Sequence, residues 1–210
     1  MGYAGVQIVA VALTVIGLVG SIVCCALPKW RESSFTGSNI VTAQVQQEGL
    51  WMSCVVQSTG QMQCKRYDSM LVLDTDLQAA RAMVVISCML SVLGMLVAFA
   101  GSDFTTCVQN ESAKGKIILT AGIVIIVSGL LMLIPVSWSA NTAIRAFYNP
   151  LVPQKMELGA SIFIGWGAAL LLIVGGGLLC CFRSKGGDGN YAAQYYSKNQ
   201  PASAPSKNYV

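Results

Sequence analysis

Four stretches of this chain contain no charged residue: 1–28, 82–102, 117–144 and 158–182. Each is long enough for a helix to cross a hydrocarbon core of roughly 30 Å, which takes about 20 residues. One such stretch could be a buried helix of a soluble domain, but four in 210 residues point to a membrane. Composition agrees. Charged residues are 10% of the chain, apolar residues 54%, and mean hydropathy is +0.62, against roughly 25% charged residues in a soluble domain.

The sequence predicts membrane helices at 7–28, 77–102, 117–144, the last with an outer extension, and 158–182. The first lacks a charged leader and exceeds the usual length of a cleavable signal, so it is expected to stay as an anchor. Lys and Arg divide seven to six between the two sides, so the positive-inside rule hardly discriminates. Orientation has to come from the loops.

The polar segment after the first span supplies it. Within Gly49-Leu50-Trp51-Met52-Ser53-Cys54 and on to Cys64, an antiparallel hairpin that sets Cys54 opposite Cys64 also sets Val56 opposite Met62 and Gln57 opposite Gln61. Ser58-Thr59-Gly60 is then the connecting loop, and Gly60 falls where a left-handed conformation is wanted. Directly opposed cysteines on neighbouring strands lie within disulfide reach. Free core thiols are the alternative, but a polar loop offers no core to hide them. Closing the loop stabilises the fold by about 2–3 kcal/mol on the chain-entropy account, and it assigns the segment to an oxidising compartment. That puts 29–76 and 145–157 outside, with 1–6, 103–116 and 183–210 in the cytoplasm. The sequon Asn110-Glu111-Ser112 is then on the wrong side for a glycan.

The outer segment is expected to be mostly sheet, with strands over 39–47, 50–57 and 61–67, three or four in all. Trp30 and Trp51 suit the membrane interface. Residues 68–73 could form a short helix, and Thr75 with Gln78 has the spacing of a capping box that would start the second span near Asp76. Arg81 either snorkels to the headgroups or makes a specific contact. Pro135 should bend the third helix, and the prolines of Asn149-Pro150-Leu151-Val152-Pro153 make the second loop stiff and turn-like. Gly165, Gly167 and Gly175-Gly176-Gly177 let the fourth helix approach its neighbours. Cys107, Cys180 and Cys181 are juxtamembrane candidates for palmitate or plain buried thiols. The tail from Ser184 is expected to be disordered and ends Tyr209-Val210, which suits capture by a PDZ domain.

The chain has no histidine, which argues against histidine-based metal sites, general bases and proton relays. Apart from Arg81 at the outer end of the second, its spans hold no Asp, Glu, Lys or Arg, so an ion pathway through a single subunit is not expected. No catalytic residue, cofactor, metal or nucleic-acid partner is expected. Function must lie in the outer loops and the tail.

Trp30, Gly49-Leu50-Trp51, Cys54, Cys64 and Arg81 together resemble the W-GLW-C-C-R signature of the claudins, the tight-junction strand proteins. The resemblance covers nearly the whole chain, and Gln57 to Lys65 with Asn149-Pro150-Leu151-Val152 is most similar to the branch of claudins three and four. It implies a membrane α+β fold: a left-handed bundle of four transmembrane helices carrying an extracellular antiparallel sheet of about five strands. It implies polymerisation with itself and other claudins, with Met70 docking near Phe147 and Tyr148 of a neighbour. The second loop, Asn149 to Val152, would serve adhesion between cells, and Tyr209-Val210 would bind PDZ domains of zonula occludens scaffolds. Lys65, with Arg31 as a weaker contributor, would set paracellular charge selectivity. That branch includes receptors for a clostridial enterotoxin, but Pro153-Gln154-Lys155 follows Val152 directly, and a loop about two residues shorter counts against toxin binding. The rival class is a tetraspan auxiliary subunit of the channel gamma-subunit or peripheral myelin protein type, which shares GLW and the paired cysteines.

Overall fold

A computed structural model of the chain describes residues 2–35, 44–57, 59–69, 74–102, 111–149 and 155–182. The described residues form α1 (Gly2–Ala26), β1 (Arg31–Phe35), β2 (Gln44–Glu48), β3 (Met52–Val56), β4 (Met62–Arg66), α2 (Thr75–Gly101), α3 (Glu111–Tyr148), β5 (Lys155–Leu158) and α4 (Ala160–Cys181). All four helices are long and apolar enough to cross a membrane. Their outward faces show Ile8, Ile16, Met89, Leu96, Leu130 and Leu170, a continuous apolar surface that suits lipid and not water.

The helices pack α1 on α4, α4 on α3 and α3 on α2, while α1 and α2 meet much less. Between apolar helices no hydrophobic force is left in lipid, so close backbone approach matters. A Cβ on Gly175 would stand 2.6 Å from Thr14 Cγ2, and one on Gly176 would stand 2.8 Å from the Gly122 carbonyl oxygen. Gly165 is similarly crowded, whereas Gly167 and Gly177, expected to act alike, face open space. Ser87 Oγ donates across the α2–α3 seam to the Ser128 carbonyl at 2.7 Å, adding about 0.6 kcal/mol if it matches the average of such bonds.

One helix expectation needs correction. α2 starts at Thr75, and no capping box forms: Asp74 is the N-cap residue and makes no side-chain capping bond. Its carboxylate faces the Arg31 guanidinium at 3.5 Å instead. α3 runs unbroken through the buried Pro135 and continues to Tyr148.

The sheet is antiparallel with strand order β4-β3-β2-β1-β5. The hairpin register is the one expected, Cys54 opposite Cys64, Ser53 opposite Lys65 and Val56 opposite Met62. Gly60 has φ of 80°, and the Gln57 N–H donates to the Gln61 carbonyl at 3.0 Å. The fifth strand comes from the second outer loop, where Leu158 pairs with Arg31 and Lys155 with Ser34. That segment therefore ends in a sheet edge, while residues 150–154, expected to be turn-like, lie outside the described residues.

What seats the sheet on the helices is a set of bonds around Trp30. Its side chain is fully buried, and its indole N–H donates to the Cys24 carbonyl at the end of α1 at 2.9 Å. Its backbone N–H donates to the Glu48 carbonyl at 2.9 Å, and its own carbonyl accepts from the Gly159 N–H at 3.2 Å. The Ser161 N–H, an orphan donor in the first turn of α4, donates to the Lys29 carbonyl at 3.0 Å. Trp30 is thus a core residue and not an interfacial anchor, because its one polar atom finds a partner inside the protein.

Gly159 makes that seam possible: a Cβ there would overlap the Lys29 carbonyl. Gly159→Ala should destabilise the protein by about 1–3 kcal/mol, read as a lower thermal midpoint in detergent micelles. Gly167→Ala, where a Cβ meets nothing, should leave the midpoint unchanged.

Candidate functional site

The disulfide forms between Cys54 and Cys64, whose Cα atoms are 4.0 Å apart. It ties β4, exposed along its whole length at one edge of the sheet, to β3, in which Cys54 is fully buried. Alternation then divides the hairpin into two faces. Met52 and Arg66 are paired in register on the face of the disulfide, and both line a groove at the outer ends of α1 and α2. Ser53 and Lys65 are on the other face.

Lys65 projects from this edge with 78% of its side chain exposed, and its ammonium is 2.7 Å from the Asp68 carboxylate, itself 76% exposed. The hydrogen bond to Asp68, then that residue's charge, raises the lysine pKa above its ordinary value. Lys65 therefore stays a cation throughout the neutral range, although half of an exposed pair.

Arg31 is placed differently from expectation. It is 2% exposed and lies 3.5 Å from Asp74 and 3.9 Å from Asp76. Its Nε and Nη2 have no hydrogen-bond partner among the described residues. These distances are long for charge-assisted bonds, so the carboxylates mainly offset the cost of a buried cation. A guanidinium held inside in this way cannot present its charge to an ion in solution, and the paracellular role expected for Arg31 is withdrawn. Glu48, opposite Arg31 in register, has its pKa raised by burial, with Arg31 opposing that rise. Asp74, Asp76 and Glu48 were not anticipated as a group. Two acids two apart before a span are the only local sign of it.

The remaining signature residues lock the hairpin to the helices. The Arg81 guanidinium sits 3.7 Å above the Trp51 ring, a cation–π contact of about 0.5–2 kcal/mol, so Arg81 makes a specific contact. Gly49 passes so near Pro28 that a Cβ would overlap its Cα, Leu50 is fully buried, and the Tyr67 hydroxyl donates to the Gly49 carbonyl at 3.2 Å. Burial raises the Tyr67 pKa to about 12, so the phenol keeps the proton this bond requires.

Phe147 and Tyr148 end α3 with rings packed edge to face at 5.6 Å, Tyr148 79% exposed, and Asn149 follows them. Cys181 is exposed, whereas the Cys180 thiol turns toward the Leu119 carbonyl at 3.8 Å. Met70, Pro150, Leu151, Val152, Cys107, Asn110, Tyr209 and Val210 lie outside the described residues, as do Ser58 and most of the short helix expected over 68–73. Among the described residues no group of three His, Cys, Asp or Glu could hold a metal ion.

Residues 4–179 match the PMP-22/EMP/MP20/Claudin family. The chain is 59% identical to Claudin-3 of Mus musculus over 169 residues, 80% of this chain and 77% of that one. It is 54% identical to Claudin-4 of Bos taurus over 212 residues and 53% identical to Claudin-6 of Homo sapiens over 220, in both cases across the full length of each chain. The chain belongs to the claudin family. It is a multi-pass membrane protein of tight junctions, a structural junction protein and not an enzyme, and it associates with other claudins.

Because either single loss opens the same covalent loop, Cys54→Ala, Cys64→Ala and the double change should behave alike. All three should insert in the membrane yet lose junctional function. Mass spectrometry that found both thiols free in active protein would contradict this.

Proposed function

We propose that this member of the claudin family forms tight-junction strands that seal the paracellular space and disfavour cations through Lys65. The observation that carries the reading is the exposed edge strand β4, pinned by the Cys54–Cys64 disulfide, with Lys65 on the face away from the helices. A charge repeated along a polymer acts on every ion that passes. A unit charge about 4 Å from a hydrated ion is worth roughly 1 kcal/mol in water and more in a confined passage, enough to alter relative permeability several-fold. It is also open to screening by salt. Asp68 tempers the effect, since its carboxylate is bonded to the same ammonium.

The rest of the proposal concerns partners. Phe147 and Tyr148, both exposed, would meet Met70 of a neighbouring copy in the same membrane, and Asn149 to Val152 would serve contact between cells. Tyr209-Val210 would engage zonula occludens PDZ domains through the terminal carboxylate. Cys181, exposed at the end of α4, is a better palmitate acceptor than Cys180.

Dilution potentials across an epithelial monolayer at matched junctional expression test the selectivity. Lys65→Asp should raise sodium over chloride permeability several-fold, Asp68→Asn should lower it, and Arg31→Gln should reduce the amount of mature protein while leaving the ratio unaltered. Since the Asp68 bond raises the lysine pKa, the wild-type ratio should also stay flat as pH passes through neutrality. An unchanged ratio in Lys65→Asp would make Lys65 a solvated surface charge only.

Deleting Tyr209-Val210 should abolish binding to isolated scaffold PDZ domains while strands still form at cell contacts. Undiminished binding by the truncated tail would contradict it.

A further inference from the structure

Where α1 and α2 part at their outer ends, beneath the β3–β4 hairpin, a groove of about 820 Å³ opens to the surface. It exists because these two helices meet far less than the other neighbouring pairs. Its volume falls within the roughly 300–1,000 Å³ typical of small-ligand sites. Ile22, Val85, Cys88 and Met89 make an apolar wall. Ile22 is 50% exposed and Met89 63%, on spans whose uncovered faces meet acyl chains in a bilayer.

The rim beside the sheet has different chemistry. Arg66 and Arg81 both line it, with Ser69 and Asp68. Arg66 is exposed and has no ion-pair partner among the described residues. Arg81 is held in place over Trp51 at 3.7 Å. Among the described residues lining the rim the one carboxylate is Asp68, 2.7 Å from the Lys65 ammonium, so with Arg66 and Arg81 beside it the formal charge of these groups is positive. An apolar trough ending in two guanidinium groups matches an amphiphile with an anionic head. The forked donors of arginine favour a phosphate over a lone hydroxyl.

We propose that this groove binds one phospholipid of the leaflet next to the sheet, with an acyl chain between α1 and α2 and its phosphodiester on Arg66 and Arg81. The site is on the hairpin face opposite Lys65, so it is independent of ion selectivity. A lipid there fills the seam that the helices leave open and braces the disulfide hairpin from below.

The test uses full-length protein equilibrated in phosphatidylcholine nanodiscs, moved to detergent, with retained lipid counted by native mass spectrometry. Wild-type protein should keep one phosphatidylcholine. Arg66→Gln, a change on an exposed edge strand that leaves the fold in place, should lower its occupancy about tenfold for one lost charge-assisted contact. Val85→Trp, which fills the trough, should lower it as far, while Leu93→Trp, exposed elsewhere on α2, should not. Diacylglycerol with the same chains, and cholesterol, should fail to displace the bound lipid. Equal retention by Arg66→Gln and wild type would overturn the proposal, and so would displacement by diacylglycerol or cholesterol as readily as by phosphatidylcholine.

Discussion

The structure depends on the burial of Trp30 at the junction of three chain segments. Its indole closes the end of α1 through the Cys24 carbonyl, its backbone N–H joins β2, and its backbone carbonyl receives the start of α4. The sheet is small, and a small sheet needs an apolar platform to be stable. That platform is the buried cluster of Cys24, Trp30, Leu50, Leu77, Val84, Val136 and Ile162, drawn from all four helices and from the residues just before β1 and β3. Because Trp30 is bonded on three sides, the sheet cannot pivot on the bundle without exposing an indole N–H and two backbone groups. Each unmet group would cost on the order of 1–3 kcal/mol.

The same seam explains why function collects at the far edge. β1 and β5, tied to α1 and α4, form the fixed side of the sheet, while β4 projects at the other edge with no backbone partner beyond it among the described strands. Such an edge invites self-association unless it is managed. Here the disulfide holds its register and Lys65, Arg66 and Asp68 give it charge. Rigid support on one side and a charged, exposed strand on the other suit a surface repeated along a polymer, each copy presenting the same residues in the same posture.

Much of this was legible in the sequence. The spans were, because charge is so costly in hydrocarbon that its absence marks them. The hairpin was, because two cysteines and one glycine leave a single register, and the pairing of Ser53 with Lys65 follows from it. The fifth strand was not: four residues, Lys155–Leu158, pair with β1 across more than a hundred residues of chain, and nothing local marks that contact. Trp30 and Arg31 were read by type, one as an interfacial aromatic and the other as a surface cation. Both are buried, since tertiary partners, the Cys24 carbonyl and the Asp74 and Asp76 carboxylates, supply what water or headgroups would have. Gly159 has an ordinary helix-start backbone; its need for a bare Cα arises only from Lys29 crossing close by.

Residue-resolved hydrogen exchange on the protein in lipid nanodiscs tests the central claim most directly. If the sheet is locked to the bundle through Trp30, the amides of Trp30, Gly159 and Ser161 should be protected as long as those in the middle of α4, while amides of β4 exchange much sooner. Rapid exchange at Gly159 and Ser161 with the helices still protected would show that the sheet moves on its seat, and would contradict the account.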